Sequence, residues 1–113
     1  MRTIKIYELL QRRVLVTRGS AREIEPELVA ALVEGQGEVE IDLFSVGGLT
    51  PSFFDETLAI FEEKMADTNG EQFRLTVRNP PTQLSSKFVA VGRGHGLTVT
   101  ESESGAWIIS KRG

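Results

Sequence analysis

The segment that most constrains the fold runs Glu38-Val-Glu-Ile-Asp-Leu-Phe-Ser-Val-Gly-Gly-Leu-Thr-Pro-Ser-Phe-Phe-Asp-Glu56. Val39, Ile41 and Leu43 alternate with Glu38, Glu40 and Asp42, the two-residue period of a strand with one face on a core. Phe44 and Val46 leave that strand, and Gly47-Gly48 opens backbone conformations closed to other residues. Thr50 reads as an N-cap, because its hydroxyl can accept an orphan backbone N–H, and Pro51 at the first helical position gives up no hydrogen bond. Ser52 falls in the first turn, with Asp55 and Glu56 close behind, where the helix dipole favours negative charge. Phe54, Leu58, Phe61 and Met65 recur at helical spacing and predict a helix to about Asp67, ended by Asn69-Gly70.

The remaining elements follow the same rules. Residues 3–9 read as a first strand, and residues 13–17 as a second or as its hairpin partner. Ser20 and Glu23 have capping-box spacing ahead of Ile24, Leu28, Ala31 and Leu32, which share a helical face. Pro26 either starts the main helix after a short turn or kinks a longer one, since an interior proline costs about 3 kcal/mol. Gly35 and Gly37 close that helix. Phe73, Leu75 and Val77 alternate with Arg74, Thr76 and Arg78 in a half-buried strand that Asn79-Pro80-Pro81 ends. Leu84, Phe88 and Val91 predict one more amphipathic helix, stopped by Gly92. Residues 97–100 and 106–110 flank Ser104-Gly105 as a C-terminal hairpin, in which Trp107 packs in the core or at an edge, with a partner surface as its second reading. This alternation predicts an α/β layer in which the strands from 38 and 73 are parallel neighbours, joined by the helix from 51 as a right-handed crossover.

At 113 residues the chain suits one domain, residues 1–113, with a core that needs no metal or disulfide. A hydrophobic share of 40% and a charged share of 26% are globular proportions. The net charge of −3 gives no electrostatic reason to expect nucleic-acid binding. Arg12, Arg13, Arg18 and Arg22 cluster in sequence, either as a solvated basic face or as a phosphate-binding patch. The absence of cysteine removes disulfides, thiolate metal sites and cysteine nucleophiles. Met1-Arg-Thr-Ile-Lys5 lacks the apolar core of a signal peptide, and no apolar run approaches the roughly 20 residues needed to span a bilayer. The expectation is a cytoplasmic protein without membrane association.

Ile41-Asp42-Leu43 through Thr50-Pro51-Ser52 resembles the STAS fold of anti-sigma factor antagonists, in which an Asp-Leu strand leads through a loop to a helix that begins with a regulatory serine. More narrowly, Arg18-Gly-Ser-Ala-Arg22, Ile41-Asp42 and Ser52-Phe-Phe-Asp-Glu56 resemble a STAS-like family whose function is not established; the resemblance covers roughly residues 13–92. It implies a STAS-like mixed β-sheet of roughly four to six strands with about three helices largely on one face. It also implies a regulatory protein-interaction module rather than an enzyme, with a histidine-kinase-like ATPase or another signalling protein as partner and no cofactor. By position the regulatory serine is Ser52, and the interaction surface is Leu49, Thr50, Phe53, Asp55 and Glu56. A phosphate of about −2 charge there would spoil a packed interface by desolvation and repulsion. The antagonists carry Asp-Ser before the modified serine and glycine after it, where this chain has Thr50-Pro51 and Phe53. Ser52 therefore keeps a second reading, an ordinary helix-start residue beside the Thr50 cap. An unpaired edge strand would also make a homodimer accessible.

Two other chemistries are legible. Gly92-Arg-Gly-His-Gly96 follows a helix rather than a strand and lacks the spacing of a nucleotide-binding loop, so it reads as a helix stop. An anion or nucleotide sensor is the alternative function, with Thr50 and Ser52 at the helix N-terminus joined by Arg93 and His95. Asp42, Asp55 and Glu56 are the acidic residues near a turn, but strand alternation turns Asp42 off the core face, and no catalytic residue or metal site is expected.

Overall fold

The computed structural model describes residues 2–66 and 72–111. In chain order the elements are β1 (Arg2–Lys5), α1 (Ile6–Leu10), β2 (Val14–Leu15), α2 (Arg18–Glu23), α3 (Glu25–Glu34), β3 (Glu38–Asp42), β4 (Gly48–Leu49), α4 (Pro51–Ala66), β5 (Arg74–Arg78), α5 (Ser86–Gly94), β6 (Leu97–Glu101) and β7 (Trp107–Lys111). Five strands form a mixed sheet in the order β1-β3-β5-β7-β6. β1, β3 and β5 run parallel, β7 is antiparallel to β5, and β6 is antiparallel to β7. The strands from 38 and 73 are thus parallel neighbours, and the C-terminal hairpin forms, as the sequence predicts.

Register explains why the core lies on one face. Ile4, Ile41, Val77 and Trp107 stand side by side across four strands, and Val39, Leu75, Ile109 and Val99 make a second row. All eight are buried. The intervening row, Thr3, Glu40, Thr76, Ile108 and Thr100, is exposed or half-buried. A period of two puts every second side chain on the opposite face, so the helices cover the apolar rows alone. α4 supplies Phe53, Phe54, Leu58, Ile60 and Phe61 to that core, and α3 supplies Leu28, Ala31 and Leu32. Phe54, Phe88 and Trp107 meet as an aromatic triple with ring centroids 4.8–5.7 Å apart, the edge-on and tilted geometry such rings prefer. Trp107 is fully buried on a strand flanked by β5 and β6, which makes it a core residue and not an edge one.

Several expected elements change. The first strand ends at Lys5, and residues 6–10 form α1, because Ile6-Tyr-Glu-Leu-Leu10 does not alternate; Gln11 closes the turn in the left-handed region, its N–H donating to Tyr7 O. β2 makes no hairpin with β1 and instead pairs in parallel with β4 in a separate two-stranded ribbon. The cap of α2 is Thr17, whose Oγ1 accepts the Ser20 N–H at 3.1 Å, so Ser20 lies inside the helix. Pro26 starts α3 at its first turn, the favoured place for a ring without an N–H. Gly37 closes the α3–β3 turn at φ +94°, where a Cβ would fall 2.0 Å from Gln72 O. Leu84 precedes α5, and α5 continues past Gly92 to Gly94. α4 is described to Ala66; Asp67 and the stop at Asn69-Gly70 lie outside the described residues.

Gly92 has a packing role where the sequence suggested a stop. A Cβ on Gly92 would lie 2.4 Å from Val99 Cγ2, so its bare backbone is what lets α5 sit on β6. Gly92→Ala gains helix propensity of about 1 kcal/mol but overpacks this contact, and overpacking costs typically 1–3 kcal/mol. The expected net effect is destabilisation in urea unfolding. Gly92→Ala with Val99→Ala is expected to be less destabilised than the two single effects summed, and strict additivity would refute the steric account.

Candidate functional site

The site is the entry to α4. Leu43 N donates to Arg78 O, Val46 N to Leu43 O, and Asp42 Oδ1 accepts both Phe44 N at 2.9 Å and Asn79 Nδ2 at 2.7 Å. Ser45 takes a φ of 75°, uncommon for a residue with a side chain. The glycine pair then lets the chain pass close to β2: Gly47 N and Gly48 N both donate to Arg13 O. Thr50 completes the attachment, its N–H donating to Leu15 O at 3.0 Å and its hydroxyl to Val16 O at 2.8 Å. The same hydroxyl accepts Phe53 N at 3.3 Å, which makes Thr50 the N-cap that its position predicts.

The expected surface residues part company here. Ser52 is exposed, and Leu49, Thr50, Asp55 and Glu56 are half-buried. Phe53 is 4% exposed and belongs to the core, so it presents no surface to a partner; it follows the Thr50 cap on the inward side of the first turn. Phe44, absent from the expected surface, is 71% exposed on the loop before α4, and Val14 and Val16 are exposed on and beside β2. A strand-end phenylalanine gives no sequence signal that separates inward from outward, because the alternation stops at Leu43.

Asp55 joins three helices. Its Oδ2 accepts from Arg18 of α2, and its Oδ1 lies 2.6 Å from His95 Nε2 at the end of α5. Arg18 also reaches Glu56 at 3.4 Å, and Arg22 binds Glu56 and Glu63 of α4 and Glu25 of α3. Arg12 donates to Ser20 Oγ and Glu23. Arg12, Arg18 and Arg22 are therefore matched by carboxylates, so three of the four arginines of the basic cluster are spent on helix packing. His95 Nδ1 lies 2.8 Å from Glu62 Oε1, and its side chain is 14% exposed. The pairing with Glu62 escaped the sequence because residues 62 and 95 are distant in the chain and meet only when α5 packs on α4.

These contacts move the titrating groups. Burial pushes the Asp55 carboxyl up, but hydrogen bonds from Arg18 and His95 together outweigh it and hold the group below the ordinary 3.8. Burial likewise pulls His95 down, and Glu62 and Asp55 together overcome it and raise the imidazole above 6.5. Hydrogen bonding to Arg22 lowers Glu63, and Glu63, Glu56 and Glu25 push the Arg22 guanidinium up.

Of the residues of the anion-sensor reading, His95 reaches the helix start that carries Thr50 and Ser52 through Asp55. Thr50 and Ser52 start α4, Arg93 borders a shallow cleft with Val89, Leu97, Thr98 and Val99, and His95 faces two carboxylates, which oppose an incoming anion. Asp42 is engaged by Asn79 and the Phe44 N–H, whereas Asp55 and Glu56 bind the α2 arginines. Among the described residues no group of three or more His, Cys, Asp or Glu is placed to hold a metal ion, and no helix is long and apolar enough to cross a membrane.

A depressed carboxyl pKa contributes stability that is complete above the unfolded value and is lost as pH falls through the folded one. Asp55→Asn is expected to cost about 1–2 kcal/mol at pH 6, the scale of hydrogen bonds to charged groups discounted for partial exposure. The gap from wild type is expected to close as the pH drops below 3.8 toward and through the folded value. Urea midpoints across pH check this, and a gap independent of pH would contradict it.

Comparison of the chain with family models, curated proteins and solved structures finds no match.

Proposed function

We propose that this chain is a small regulatory module of STAS-like fold that acts by binding another protein at the surface formed by the α4 entry and β2. The observation that carries this reading is Phe44, 71% exposed on a loop whose backbone is fixed to Asp42, Arg78 and β2. Val14 and Val16, 53% and 46% exposed, are further apolar side chains on and beside the ribbon to which that loop is tied. Aromatic side chains held outside the core by a rigid backbone are the usual anchors of protein interfaces, since little ordering entropy is left to lose on binding. The order β3, loop, β4, Thr50 cap and α4, between parallel β3 and β5, is what a STAS-like domain would present.

Ser52 is the modification point in this proposal, and a histidine-kinase-like ATPase is the partner class. Transfer of the γ-phosphoryl group of ATP to Ser52 Oγ, with release of ADP and a proton, adds charge one turn from Asp55 and Glu56. That charge costs desolvation in any interface closing over the α4 entry. The wild type, Phe44→Asp and Ser52→Glu can serve as parallel baits for affinity capture, followed by binding measurements on the purified partner. The proposal expects both substitutions to weaken a wild-type partner by about tenfold or more, a loss of roughly 1.4 kcal/mol. Equal retention by all three would overturn the interface. If Phe44→Asp alone loses the partner, the interface stands and the switch at Ser52 is refuted.

A further inference from the structure

We infer that His95 is a proton-operated latch: as an imidazolium it ties the corner between α5 and β6 to α4 through Asp55 and Glu62, and loss of its proton loosens that corner. The geometry makes the case. Both ring nitrogens face carboxylate oxygens, Nε2 at 2.6 Å from Asp55 Oδ1 and Nδ1 at 2.8 Å from Glu62 Oε1. A neutral imidazole has one N–H, so it can satisfy only one of them and must turn a lone pair toward the other; the imidazolium donates to both. The two carboxylates stand seven positions apart on α4, with Ala59 between them in the same helical row.

The charges around the ring agree with this state. α4 contributes Asp55 and Glu62, and α2 contributes Arg18, a cation already committed to Asp55 and Glu56. α5 contributes Arg93, two residues before His95 and exposed, while β6 begins with the uncharged Leu97 and Thr98. His95 is also the C-cap of α5, its backbone N–H donating to Gly92 O, and the C-terminal end of a helix favours a cation. Burial opposes the charged form, and Glu62 and Asp55 together overcome it and raise the group's pKa. The direction of the linkage is then fixed. A raised folded value makes the latch complete below the ordinary 6.5 and lost as pH rises through the folded value, so it opens on the alkaline side of an ordinary histidine's titration.

His95 is the only histidine in the chain, so its NMR titration needs no assignment by mutation. The wild type is expected to titrate above 6.5 with both ring nitrogens protonated below the midpoint. Glu62→Gln, at an exposed position that should not affect folding, is expected to bring the midpoint down. Amide hydrogen exchange over residues 88–101, corrected for its intrinsic pH dependence, is expected to accelerate through the same midpoint in the wild type. In His95→Gln it should stay at the fast, open level at every pH. A wild-type midpoint at or below 6.5, a midpoint unmoved by Glu62→Gln, or exchange that does not follow the titration would each overturn the latch.

Discussion

The contact of Phe54 with Phe88 and Trp107 is the constraint from which the polar architecture follows. It pins α4 and α5 to the sheet at β7, where Trp107 sits in register with Val77 and Ile41. Once Phe54 points inward, its neighbour Asp55 is carried to the seam above the core, where α2 and the end of α5 converge. The apolar layer is thus what gives the charged layer its geometry. The converse does not hold, since ion pairs with half-exposed partners contribute little by themselves.

The charged layer is better understood as a device for position than as a source of stability. Asp55 satisfies Arg18 with one oxygen and His95 with the other, so α2 and α5 are fixed to the same turn of α4 by one side chain. Arg22 does the same farther along, binding α4 through Glu56 and Glu63 and α3 through Glu25. Such a network is partly screened by salt, while the aromatic and aliphatic contacts below it are not. Removing one member should therefore reorient a helix end before it threatens the fold.

Much of the fold was legible in the sequence for an identifiable reason. Wherever a segment alternates strictly, as at Val39 and Ile41 or Leu75 and Val77, burial of one face leaves one register, and strand, neighbour and direction follow. The Thr50 cap was legible for a similar reason: hydroxyl, proline and an apolar stripe agree on one boundary. Failures fell where local signals were silent or shared. Ile6-Tyr-Glu-Leu-Leu10 has the apolar content of a strand and the spacing of a helical turn, and only contact with the core decides between them. Two-residue strands such as β2 and β4 have no period at all. Gly92 carries the same letter as a helix stop, although its function is to leave room for Val99, a residue the linear chain does not place beside it. Among the candidate residues, the placing of Thr50, Ser52, Asp55 and Glu56 at one helix start was legible because they fall within seven positions of the chain. The His95 environment and the exposure of Phe44 are tertiary facts.

The two proposed features occupy one helix, and their separation in space can be reasoned out. Ser52 and Asp55 are three residues apart on α4, about 4.5 Å along the helix axis, so charge placed at Ser52 would enter the same electrostatic neighbourhood as His95. His95 is the one group there whose ordinary pKa lies near neutrality, since Asp55 is held ionised and the arginines do not titrate. An added anion at Ser52 would strengthen proton binding at His95, and by reciprocity the imidazolium would ease the cost of that anion. Any such coupling is limited by Arg18, which lies on Asp55 and offers a nearer counter-charge. Arg18 therefore sets whether the α4 entry and the α5 corner behave as one electrostatic unit or as two, and the carboxylate it binds, Asp55, is placed by the contact that turns Phe54 inward.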